Sequence, residues 1–178
     1  MKKIAILALS MLLISIGLDA QKMNNIKTDL FSPILRTGVL KYERAITEDI
    51  SAQLGFFYTG YSPRDSESSL SGIGITPEFR FYLSESPAPN GTYLAPNFRY
   101  MKLTVDDPVA AEEGTLTSMS LAINLGKQVI LKEIIVIDAW VGPAYAFRSV
   151  DASGEVDVGI PEINGFGIRL GLAIGIAF

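Results

Sequence analysis

Charged residues in this chain recur two positions apart inside otherwise apolar stretches: Lys27 with Asp29, Lys41 with Glu43, Glu78 with Arg80. Arg99, Asp138 and Arg169 stand singly in similar surroundings. Residues two apart share one face of a strand. Five positive and four negative charges would then crowd one face. Ions withdrawn from water are tolerated only when paired and hydrogen-bonded. The expected chemistry is therefore an interior salt-bridge network of Lys41, Glu43, Glu78, Arg80, Arg99, Asp138 and Arg169, in which Arg169 neutralises Glu78 or Glu43. A path for ions or protons is the other use of the same groups.

Other chemistry is missing. The chain has no histidine and no cysteine. That removes Ser-His-Asp and Cys-His catalysis, histidine acid–base work and the usual zinc sites. No catalytic residue, metal site or cofactor is expected. Acidic clusters at Asp106-Asp107, Glu112-Glu113 and Asp151, Glu155, Asp157 have the oxygens for Ca²⁺, but their spacing matches no calcium loop and solvated acidic loops are the plainer reading. Gly72-Ile73-Gly74 opens no helix, so a phosphate-binding loop is not expected. A net charge of −4 without a basic run argues against nucleic acid as a partner.

The elements that must carry these groups are strands. From Gly165 to Phe178 every even position is large and apolar, and every odd one is Gly, Ala or Arg169. A helix would scatter those side chains, and each glycine would cost it roughly 1 kcal/mol relative to alanine. In this segment Leu170 and Leu172 should face one way and Gly171 and Ala173 the other. The same alternation recurs at 50–58, 73–83, 93–100, 118–126 and 135–147, and more weakly around 26–30 and 40–43. Eight segments result, each near the ~9–11 residues of a tilted membrane-crossing strand. Connections near 36–38, 47–49 and 131–133 are short and 84–91 is intermediate, whereas 61–72, 104–115 and 148–164 are long and polar.

The first twenty residues read as a cleaved signal peptide, 1–20: Lys2 and Lys3, an apolar run, then small residues before Ala20. Without cysteine no lipoprotein anchor is expected. The remaining 21–178 form one domain. No stretch there supplies the ~20 continuous apolar residues of a membrane helix. An exported apolar chain of alternating segments is accommodated by strands closed into a barrel, where no backbone edge meets lipid. Aromatics near segment ends (Tyr42, Phe56, Tyr58, Phe81, Tyr100, Tyr145, Phe147, Phe178) suit interfacial girdles. A soluble, lipocalin-like periplasmic binding barrel is the competing fold, with apolar residues inside instead of outside.

Lys41-Tyr42-Glu43-Arg44, the run from Pro77 to Leu83 and the run from Gly91 to Tyr100 resemble the small OmpA/OmpX-type barrels, and more narrowly an outer-membrane barrel family of unknown function. The resemblance implies an all-β, eight-stranded antiparallel up-and-down transmembrane barrel, with short periplasmic turns and longer outer loops. It implies a monomer in outer-membrane lipid, non-enzymatic, with a side-chain-filled interior. Its role would be surface binding to an unspecified ligand or envelope structure; a narrow, porin-like pore is the alternative. Phe178, with Ile176 and Ile174 before it, resembles the terminal signal read by the barrel-assembly machinery. A peptidoglycan-binding domain is not expected, nor is wall anchoring.

Overall fold

A computed structural model of the chain describes residues 23–61, 69–107, 112–152 and 164–178; the expected signal peptide lies outside them. The strands are β1 (Asn24–Asp29), β2 (Thr37–Ala45), β3 (Ile50–Tyr61), β4 (Ser69–Tyr82), β5 (Gly91–Asp107), β6 (Glu112–Leu131), β7 (Ile135–Ala152) and β8 (Gly165–Ala177). Each pairs antiparallel with the next, and β8 returns to β1 to close an eight-stranded barrel. A 3-10 turn, Ser32–Leu35, fills most of the first connection, ending at Arg36 in the left-handed region.

Side chains divide by parity, as a pleated strand requires. On β7, Val136 and Asp138 are fully buried while Ile135, Ile137 and Val141 are exposed. On β6, Met119, Leu121, Ile123 and Leu125 face outward, and Ser118, Ser120, Ala122 and Asn124 face in. The barrel is thus polar inside and apolar outside, the reverse of the lipocalin-like arrangement. On β8, Leu170 is exposed, Leu172 is half-buried and Ala173 is buried; a side chain at Gly171 would run into the Trp140 ring.

Strand lengths depart from the expected uniform span. β5, β6 and β7 run 17, 20 and 18 residues, and β1 only 6. Much of the expected 104–115 loop is ladder, with Thr104 opposite Thr115 and Asp106 opposite Glu113. Strand propensity is weak beside pairing with a neighbour already in register. Glu155 and Asp157 lie outside the described residues.

The end of the barrel where Asn24 meets Phe178 is tightly closed. Asn24 and Phe178 exchange backbone hydrogen bonds of 3.1 and 2.9 Å. Lys132 and Glu133 both hold positive φ, 50° and 61°, in a hairpin turn where Ile134 N donates to Leu131 O at 3.1 Å. Two positive φ values match the strand twist, though Asn-Gly fits them best. Gly91 begins β5 at φ 123°, with the Ser84 side chain where a Cβ would lie. The connection between β4 and β5 folds in beneath the lumen: Ala88 N donates to Glu48 O at 2.6 Å and Ala88 is buried.

Candidate functional site

Arg80, on β4, is the centre of the interior. Its Nε lies 2.6 Å from Glu78, its Nη2 2.9 Å from Asp138 and its Nη1 3.3 Å from Glu43. Lys27, on β1, reaches the same two cross-barrel carboxylates, 2.6 Å from Glu43 and 2.9 Å from Asp138. Arg80 and Lys27 are each 1 % exposed, and Glu43 and Asp138 are 0 % exposed. Burial this complete requires every lone pair to find a donor. Tyr82 donates its hydroxyl to Glu43 and Tyr93 donates to Asp138, each at 2.7 Å, and Ser51 also donates to Glu43. Gln128 accepts from Lys27 and Arg80 and donates to the carbonyl of Pro89, tying the hub to the connection below. Glu78 accepts from Gln53 at 3.1 Å and from Asn124 at 3.2 Å. Side chains from β1 through β7 thus meet in one cluster across the lumen.

The other expected members stand apart from this hub. Lys41 pairs with Asp29 at 2.6 Å and lies 3.7 Å over the Trp140 ring. Arg99 donates to Thr76 at 3.1 Å, and Arg169 donates to Ser120. Among the described residues neither arginine meets a carboxylate, so the expected pairing of Arg169 with Glu78 or Glu43 does not form. The reason is stagger: both glutamates are already saturated by Arg80, Lys27 and neighbouring amides. Parity alone places Tyr93 and Gln128 on the inward face, but their role as donors to the hub needs the register between strands.

Nor is the whole interior filled. Above the hub lies a cavity of about 520 Å³, floored by Gln53, Glu78, Arg80, Asn97 and Asn124 and walled by Lys41, Arg99, Trp140 and Arg169. Gly55 and Gly171 line it among larger groups, with the Trp140 ring lying over Gly171. The terminal Ile174, Ile176 and Phe178 are all exposed on the outward face.

The described strands thus define one class of fold, an antiparallel eight-stranded up-and-down barrel with an ionic interior and an apolar exterior. Within that class, the chain belongs to the family described as "Protein of unknown function (DUF3575)", which it matches over residues 5–157. Among solved structures it is similar to the N-terminal β-barrel domain of Pseudomonas aeruginosa OprF, at 12% identity and a TM-score of 0.48, over 90% of this chain and 100% of that one. No curated protein matches it.

Proposed function

We propose that this protein is an integral outer-membrane barrel, non-enzymatic and monomeric, that serves the envelope or binds a surface ligand through its outer end. The observation that carries this reading is the inverted polarity. Exposed Leu, Ile and Phe side chains cover the outside, while Lys27, Glu43, Arg80 and Asp138 are sealed within. A water-soluble protein gains nothing from that arrangement, whereas lipid solvates the apolar face and closure satisfies the backbone. The hub's groups bind one another and leave no acid, base or nucleophile free for substrate. The same hub, with the Pro89 connection beneath it, favours a plug over a continuous pore. Insertion by the barrel-assembly machinery would read Phe178 and the apolar positions before it.

The test is fractionation together with heat-modifiability. The native protein should sediment with outer membranes and migrate differently on SDS gels before and after boiling. Recovery as a soluble periplasmic protein would overturn the membrane reading; steady single-channel steps in planar bilayers would overturn the plug.

A further inference from the structure

The ladder between β1 and β8 stops early. β1 pairs with β8 only from Asn25 opposite Ala177 to Asp29 opposite Ala173, followed by one bond from Leu30 N to Leu172 O at 2.9 Å. Gly165 to Gly171 pair with β7 on one side and, among the described residues, with no strand on the other. On β2 the ladder with β1 ends at Lys41, and beyond it the Val39 carbonyl accepts from the Thr28 hydroxyl at 2.7 Å instead of from a strand. Between these two edges the chain passes through the 3-10 turn instead of a strand, so the wall is notched there.

The cavity uses the notch. Arg169 and Gly171 point inward and Ile168 and Leu170 outward, 78 % and 70 % exposed, yet all four line the same cavity. The cavity therefore borders the notched side of the wall. The opposite lip is Phe31, also exposed. Inside, the cavity holds Arg99 and Arg169, cations that meet no carboxylate among the described residues. On its floor, Gln53 Oε1, Asn97 Oδ1 and Asn124 Oδ1 are buried and accept no hydrogen bond from any described residue.

We infer that this cavity is a binding site for a single-chain amphiphile with an anionic head. The head, a phosphate or carboxylate, sits on Arg99 and Arg169, and any hydroxyl it carries donates to the amide oxygens below. The chain leaves through the notch between Phe31 and Ile168 and joins the apolar outer surface. Its volume falls within the ~300–1,000 Å³ of ordinary small-molecule sites. An occupant also covers the β8 edge from Gly165 to Gly171, which has no second strand among the described residues, and lipid does not tolerate such an edge bare. The site lies above the hub and needs no passage through it. The lateral exit rests on the membrane placement proposed above; binding in detergent is read separately from it.

Trp140, the only tryptophan of the chain, lines the cavity and reports on it directly. The protein refolded in a non-ionic detergent is titrated with a medium-chain fatty acid brominated beside its carboxylate. Saturable quenching of Trp140 is expected, with little from the alcohol of equal length and the same bromine position. Arg99→Met with Arg169→Met should weaken binding roughly tenfold or more, while Arg99→Lys with Arg169→Lys retains most of it. Equal binding of the alcohol, or an unchanged affinity in the methionine pair, would overturn the site. Inorganic phosphate that binds as tightly as the acid would show a free-anion site and overturn the amphiphile. In a Trp140→Phe, Ile168→Trp variant, bromine at the chain end should quench and bromine beside the head should not; the opposite order overturns the lateral exit. An edge-paired dimer that shows no quenching would replace the ligand with a second copy of the chain.

Discussion

Arg80 on β4 and Asp138 on β7 lie 2.9 Å apart although their strands are not neighbours. The pair therefore spans the lumen and fixes its width, rather than stitching adjacent strands that backbone bonds already hold. Asp138→Asn leaves Arg80 and Lys27 with one fewer anion in a site sealed from solvent by burial. Breaking a buried pair from one side costs about 3–5 kcal/mol. The urea midpoint of the refolded barrel should fall accordingly. The loss in Arg80→Met with Asp138→Leu should be smaller than the sum of the two single losses, and additivity would deny the coupling.

Leu121 is exposed midway along β6, and its neighbour Ala122 is buried. An arginine facing the bilayer midplane costs roughly 2–4 kcal/mol. Leu121→Arg should destabilise the barrel in lipid by that amount, and Leu121→Ala by less. Labelled cysteines give an independent reading: a lipid-soluble quencher should reach a probe at position 121 and not one at 122.

The turn after β6 spends two left-handed conformations on residues with side chains, Lys132 and Glu133. Each such residue carries strain on the order of 1 kcal/mol. Lys132→Asn with Glu133→Gly should raise the unfolding midpoint while leaving the fold unchanged, as judged by circular dichroism. A lower midpoint would mean these side chains hold the turn in some other way.

The backbone and the ring of Phe178 can be separated by substitution. Its backbone closes the seam with Asn24, and its exposed ring is free for recognition. Phe178→Ala keeps the backbone bonds, so refolding in detergent should be nearly normal while insertion in cells slows and periplasmic degradation rises. Deletion of the residue should additionally lower stability. Normal surface levels of Phe178→Ala would remove the ring from the assembly signal.

The faces of the strands were legible because large and small residues alternate so regularly: Leu170, Gly171, Leu172, Ala173 can be sorted by inspection. Which inward charges meet was not legible. Alternation gives a face but not a height, and the height of Arg169 relative to Glu78 depends on the stagger accumulated around the barrel. The hollow above the hub is hidden in the sequence for the same reason, since it depends on which inward residues of separate strands stand at one level. The short β1 was hidden by composition: Leu30, Phe31, Ile34 and Leu35 extend the apolar run, and only Pro33 and the left-handed Arg36 mark the turn that ends the ladder.

Because Asn24 and Phe178 are already backbone partners, the order in which the strands are written along the chain is separable from the order in which they stand. A short linker across that junction, with a new break at an outer connection, would give a circular permutant with the same ring of strands and the same hub. Such a permutant would carry another strand at its carboxyl end and present other residues to the cell's insertion apparatus. The fold and its address would then be encoded in different places, and each could be altered without the other.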